Sequence, residues 1–304
     1  MPYNLITILG PTATGKTKLA AMLAHEFGGE IISADSRQVY KGMDIGTGKD
    51  LSDYFINNRK VPYHLIDIVS PNFEFSVYDF KQEFIKTFIQ ITVDKKIPFL
   101  AGGTGLYLSS ILQKYEFGKA NFSFEQQSEL TAMSLKELSE ILAALKPALH
   151  NTTDLIDKER LIKAILVARA EGYSEVGKDI EINSLNIGIM PDREIIKERI
   201  TERLKYRLSN GMIEEVEKLL ADGVSFEKLN FFGLEYKFIG MYLNGRLNYN
   251  DMFQKLNSAI HQFAKRQATW FRKMEREGVK IIWLNSPNLN KAKEIITQEY
   301  FYGH

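Results

Sequence analysis

Short apolar runs alternate with amphipathic stretches over the first hundred residues. Asn4–Leu9 is mostly apolar, of strand length, and runs straight into Gly10. Lys16–Glu26 has helical character and stops near the Gly28-Gly29 pair, and Glu30–Ala34 is a second apolar run that ends at Asp35. Tyr63–Ile68 and Ile97–Ala101 predict two more strands. Between them, Ser76-Val77-Tyr78-Asp79 has the form of a capping box with Asp in place of Glu, opening a helix through Phe80, Phe84 and Phe88. Alternation of this kind predicts a parallel sheet with helices on its faces.

The pattern changes near Lys114. Tyr115–Glu129 is polar and aromatic without clear periodicity, and Ser134-Leu135-Lys136-Glu137 then forms a capping box ahead of Leu138, Ile141, Leu142 and Leu145, which share a helical face. Asp157–Ala170 predicts another helix, stopped near Gly172. Leu185–Met190 resumes the strand pattern, and Lys280–Leu284 supplies a late strand. Long helices are expected over Asp192–Asn210, with Gly211 as the stop, and over Asn250–Arg276. The expected organisation is therefore an α/β core from residues 1–114 and 185–304, interrupted by a helical insertion domain at 115–184. No internal repeat or low-complexity tract is visible.

Composition narrows the picture in two places. The 304 residues carry 39 Lys and Arg against 38 Asp and Glu, so a nucleic-acid partner would have to be met by a local basic patch. There is no cysteine, which removes disulfides, thiolate catalysis and Cys-based metal sites. The opening residues lack the basic start, apolar stretch and small-residue cleavage site of a secretory signal. No apolar stretch approaches the ~18–20 residues that span a bilayer. A cytoplasmic protein without a membrane partner, and a monomer, are expected.

The strongest chemical signal is Gly10-Pro11-Thr12-Ala13-Thr14-Gly15-Lys16-Thr17, which matches G-x-x-x-x-G-K-[ST] between a strand and a helix. Glycines let backbone amides turn toward an anion, and the helix N-terminus adds its positive dipole end. Lys16 would neutralise phosphate oxygens and the Thr17 hydroxyl would ligate Mg²⁺. The motif predicts a core like that of the P-loop NTPases but does not choose the phosphate compound. For an NTPase or kinase, the second metal-directing aspartate could be Asp35 or Asp67, and spacing does not decide between them.

Further blocks carry a resemblance. Gly29–Thr47 (GEIISADSRQVYKGMDIGT), Val61–Ile68 (VPYHLIDI), Ala101–Leu108 (AGGTGLYL) and Ala264–Arg272 (AKRQATWFR) together resemble the tRNA dimethylallyltransferases, or tRNA isopentenyltransferases, in order and from residue 10 to about residue 272. The resemblance implies that the loop holds the pyrophosphate of dimethylallyl diphosphate, with Mg²⁺. It implies that N6 of the adenine 3′ of a tRNA anticodon attacks the allylic carbon. An exocyclic aromatic amine is a poor nucleophile, and by the family pattern Asp35 is its general base. Ser36, Arg37 and Gln38 follow where the family holds the target base and its neighbours, and Thr104 would contact the reacting substrates.

The base must also leave the anticodon stack, and phosphate contacts should compensate. Lys255–Lys280 holds Lys255, Lys265, Arg266, Arg272, Lys273, Arg276 and Lys280 against only Glu275 and Glu277. On a helix, Lys265, Thr269 and Arg272 form one stripe and Arg266, Trp270 and Lys273 the next. Such charge is often only a solvated face. The resemblance assigns Lys265, Arg266, Gln267, Ala268, Thr269, Trp270, Phe271 and Arg272 to tRNA contact. It does the same for Glu159, Arg160, Leu161, Ile162 and Lys163, within a basic set that includes Lys158 and Arg169. The chain departs from the family at Gly233-Leu234-Glu235-Tyr236, where an acidic Glu235 stands at an often basic position, and at Ile260-His261. The insertion start, Gly118–Ala132, is short. Three alternatives remain: transfer to free adenine nucleotides, an NTPase or kinase using Asp67, and an inactive RNA-binding relative.

Overall fold

The computed structural model describes residues 3–113, 129–145, 158, 161–162, 165 and 180–302. The chain divides into two compact units, Met1–Gln113 with Glu181–His304, and Lys114–Ile180. The expected helix at Asp157–Ala170 lies mostly outside the described residues, as do Tyr115–Gln127 and the candidate contacts Glu159, Arg160 and Lys163. Arg169 is outside them too.

The larger unit is built on six parallel strands among the described residues. They are β1 (Leu5–Leu9), β2 (Gly29–Ala34), β5 (Tyr63–His64), β6 (Ile97–Gly102), β7 (Ser184–Ile189) and β8 (Ile282–Leu284), in the order β5-β2-β6-β1-β7-β8. A separate hairpin pairs β3 (Phe55–Ile56) with β4 (Arg59–Lys60). Every residue of β1 is buried and the interior strands are nearly so, as helix-covered parallel strands must be. β5 ends four residues earlier than its apolar run predicts. Leu65 and Asp67 take left-handed backbone angles (φ 60° and 56°), which no strand can contain.

Register fixes the working edge of the sheet. Ala34 of β2 and Leu9 of β1 both pair with Gly102 of β6. The three strands end level, so Asp35, Gly103 and Gly10 emerge side by side. Parallel neighbours lie ~4.8 Å apart, so the outer two of these backbones are about 10 Å apart.

The helices of this unit follow their sequence signals closely. α1 (Lys16–Phe27) starts after left-handed Gly15 and ends at left-handed Gly28. α2 (Val77–Val93) has both halves of its capping box, and its Phe80, Phe84 and Phe88 face the core. α3 (Gly105–Leu112) follows β6. In the smaller unit, α4 (Leu135–Leu145) carries Leu138 and Leu142 into an apolar cluster with Leu130, Leu161, Ile162 and Ile165, and Ser134 and Glu137 cap it reciprocally. Leu145, expected on the same face, is exposed at the helix end.

Back in the larger unit, α5 (Arg193–Leu208) leads into α6 (Met212–Ala221), α7 (Phe226–Phe232) and α8 (Leu234–Leu243), none of which the sequence pattern announced beyond α5. α9 (Tyr249–Arg276) begins at Asn248, whose side chain accepts the Asp251 N–H, and α10 (Leu289–Ile295) runs on into a π-helical turn, Ile296–Phe301, that ends the described part of the unit. Among the described residues no helix is long and apolar enough to cross a membrane.

Candidate active site

The Gly10–Thr17 loop leaves β1 as the motif requires. A Cβ at Gly10 would meet the Ile189 carbonyl oxygen at 2.5 Å, so no other residue fits there without movement of the backbone. Gly15 takes φ 81° to turn into α1, and its empty Cβ direction is faced by Pro287 at 3.2 Å. Inside the loop, Thr14 and Lys16 both donate to the Pro11 carbonyl, at 3.0 and 3.1 Å. Thr17 stands half-buried in the first helical turn.

Lys16 is electrostatically strained. Burial pulls its pKa down to about 8, Asp35 raises it and Arg203 lowers it further. Arg203 comes from α5 and donates to the Thr12 hydroxyl. Burial, with help from neighbouring Arg207, brings its own pKa down to about 10. Two cations desolvated around one loop are costly unless an anion joins them. An anion held by the loop would relieve that cost.

Asp35 follows β2 and is half-buried. Its Oδ1 accepts the Arg37 N–H at 3.0 Å, the turn role an aspartate commonly takes, while Oδ2 receives no hydrogen bond from the described residues. Thr104 sits beside it: its N–H donates to the Ala34 carbonyl at 3.2 Å, and its hydroxyl accepts the Ser36 N–H at 3.1 Å. The Arg37 guanidinium lies over Phe231 at 5.4 Å, and burial lowers its pKa. The loop residues, Asp35, Ser36, Arg37 and Thr104 therefore share one sheet edge.

Several candidate contacts are engaged inside the protein instead. Gln38 is 7% exposed, its amide accepting from Ser33 at 3.1 Å and donating to the Gly48 carbonyl at 3.1 Å. On α9, Lys265, Arg266, Thr269 and Arg272 are exposed, whereas Gln267 and Phe271 are buried. Phe271 packs against Trp283 in the core, and Trp270 covers Gly105 and donates to Ser109 at 2.9 Å. Leu161 and Ile162 point into the apolar cluster of the smaller unit, so their side chains are not presented to RNA. The basic stripe on α9 is thus narrower than its block: four exposed positions, with buried ones between.

Asp67 does not sit free for a metal. The fully buried Lys49 ammonium is held by Asp67, by Asp44 at 2.6 Å and by the Tyr40 carbonyl at 2.7 Å. Glu215 of α6 completes the support of this segment. Its carboxylate accepts the N–H groups of Asp44, Ile45 and Gly46 at 2.7, 2.7 and 2.9 Å, and the Tyr236 hydroxyl at 2.7 Å. The sequence reading missed Lys49, Glu215, Arg203 and Arg207.

The match to known families decides what these residues belong to. The family model for the IPP transferases matches residues 38–274. The chain belongs to the IPP transferase family. A tRNA dimethylallyltransferase 1 of Geotalea uraniireducens is 50% identical over 298 residues, covering 97% of this chain and 98% of that protein. A second, from Geotalea daltonii, is 52% identical over 285 residues, covering 94% and 92%. The crystal structure of a full-length tRNA isopentenylpyrophosphate transferase from Bacillus halodurans superposes with a TM-score of 0.69 at 31% identity, covering 99% of this chain and 96% of that one.

The departures from the family pattern find internal explanations. Glu235 lines a small cavity with Arg203, Arg207 and Ile260. Burial raises its pKa, while Arg207 and Arg203 oppose the rise. An acid at this position therefore faces two arginines, Arg207 buried and Arg203 half-buried, and need not repel RNA. His261 lies 3.3 Å from the Thr201 hydroxyl, which donates to Asn257 at 3.1 Å.

Proposed function

We propose that the chain transfers the dimethylallyl group of dimethylallyl diphosphate to N6 of the adenine immediately 3′ of the anticodon in tRNA, releasing pyrophosphate. One observation carries this reading above all. A cation-rich anion loop and a half-buried carboxylate emerge from level strand ends on either side of Gly103, with Lys16 sensing the charge of Asp35. Diphosphate on the loop and an amine at Asp35 would place leaving group and nucleophile on opposite sides of one carbon.

In the step itself, the N6 lone pair forms a bond to the allylic carbon as the carbon–oxygen bond to diphosphate breaks. Negative charge grows on the departing pyrophosphate, where the loop amides, Lys16 and Arg203 can stabilise it. The amine proton passes to Asp35, a transfer that typically contributes ~10²–10⁴-fold. Thr104 orients the acceptor side through Ser36. Among the described residues no group of three or more His, Asp or Glu side chains gathers to hold a metal by itself. The Thr17 hydroxyl would help hold Mg²⁺ beside the diphosphate oxygens. Once bound, the ion would neutralise leaving-group charge.

The exposed Lys265, Arg266, Thr269 and Arg272 supply the RNA-facing stripe, and the insertion adds Lys158, Arg160 and Lys163 on the family pattern. The test is transfer from labelled dimethylallyl diphosphate to unmodified tRNA or to free AMP, ADP or ATP. Label is expected in tRNA, at the adenine beside the anticodon. Label in free nucleotide alone, or rapid ATP turnover without transfer, would overturn the reading.

A further inference from the structure

Gln267 belongs to the buried side of α9. Ile260, Ala264, Gln267, Phe271 and Met274 recur at alternating spacings of four and three, and all are buried. A glutamine on such a face must have both ends of its amide satisfied. Here Oε1 accepts the Thr12 N–H at 2.9 Å and Nε2 donates to the Gly103 carbonyl at 2.8 Å. The fit is tight, since a Cβ at Gly103 would stand 2.6 Å from Nε2 and 3.0 Å from the Gly10 carbonyl oxygen.

One amide therefore spans the loop after β1 and the turn after β6. That turn continues into Thr104, which holds Ser36 beside Asp35. The same helix presents Lys265, Thr269 and Arg272 on its outer side. Gln267 is buried and both polar ends of its amide are engaged internally, so its side chain is not presented to RNA. The Thr12 N–H is likewise engaged by Gln267.

We propose that Gln267 is a positioning residue: its amide sets the separation between the leaving-group loop and the Asp35–Thr104 side, and ties both to the helix whose outer face meets RNA. The proposal rests on the transfer reaction above. Displacement at carbon needs reacting atoms ~3–3.5 Å apart, and misplacement by about 1 Å can cost ~10²-fold. A connector that acts only on this spacing should affect the bound complex more than its formation.

The test uses the full chain, dimethylallyl diphosphate and tRNA, with single-turnover rates at saturation of both. Gln267→Met, which keeps the length but loses both hydrogen bonds, is expected to lower the saturated rate by about tenfold or more. Gln267→Glu gives a signature that simple destabilisation does not. A neutral carboxyl can accept from Thr12 and donate to Gly103, whereas a carboxylate opposes that carbonyl. Its rate relative to the wild type should rise as pH falls. If Gln267→Met does not fold, this ratio decides alone. A saturated rate within about twofold of wild type, a loss confined to RNA affinity, or a ratio flat with pH would overturn the proposal. Failure of the wild type to transfer at all would instead sink the reaction itself, and that arm identifies it.

Discussion

Raising the pH from about 7.5 to about 9.5 should weaken diphosphate binding roughly 25-fold, and Lys16 is the reason. Burial sets its pKa near 8 in the free protein, against 10.5 for an ordinary lysine. The protonated fraction then falls from about three quarters to about 3% over that interval, and apparent affinity falls with it if only the ammonium form binds. Calorimetry with inorganic pyrophosphate in buffers of different ionisation enthalpy reads both quantities. Uptake of nearly one proton per pyrophosphate is expected at the upper pH, and little at about pH 6.5. Lys16→Met should bind weakly with no such dependence. An affinity unchanged over the interval, without proton uptake, would refute a depressed Lys16. The same shift has a sign for stability. The folded pKa lies below the unfolded one, so the unfolded chain holds more protons between about pH 8 and 10.5, and the Lys16 contribution to stability rises with pH there. Below that window the ligand-free fold carries the full cost, at most about 3.5 kcal/mol. Lys16→Met should therefore raise the ligand-free melting temperature at neutral pH.

Asp35→Asn should keep pyrophosphate affinity while lowering the single-turnover transfer rate by about 10²–10⁴; an unchanged rate would remove Asp35 from the base role. Lys265→Ala should weaken tRNA binding and reduce its salt slope by about one, with diphosphate affinity unaltered, as measured by titration at several ionic strengths. Glu215→Ala strips three backbone amides and the Tyr236 hydroxyl of their acceptor. It should cost about 2–4 kcal/mol in denaturant unfolding, with less than about 1 kcal/mol refuting the role given to Glu215.

Much of this site was legible in the chain because its determinants are local. The Gly10–Thr17 loop needs a strand, two glycines and a helix in immediate succession, and all are contiguous. Asp35 and Thr104 could be placed at one edge because each follows an apolar run, and parallel strands put such ends together. Arg203 and Arg207 were not legible, since charged side chains seldom turn inward and a helix as polar as Arg193–Leu208 reads as solvated. Their signal lay in their place beside Ile200 and Leu204, on the stripe that turns inward. Tyr63–Ile68 misled because an apolar run does not reveal left-handed turns at Leu65 and Asp67. Gln267 is the sharpest case: resemblance assigned it to RNA, yet the periodicity of Ile260, Ala264, Phe271 and Met274 already placed it indoors.

The level endings of β2, β6 and β1 have a consequence for how this enzyme could change. The gap between donor and acceptor is two strand spacings, a dimension written in backbone hydrogen bonds, so the sheet acts as a fixed gauge. Side-chain substitutions, at Gln267 included, can shift the loops that rise from those strand ends but cannot change the strand spacing itself. Inserting or deleting one residue in β2 would move Asp35 by about 3.3 Å and swing its side chain to the opposite face. Variation in substrate choice should therefore accumulate in the helices and insertion, while the three strand ends stay in step.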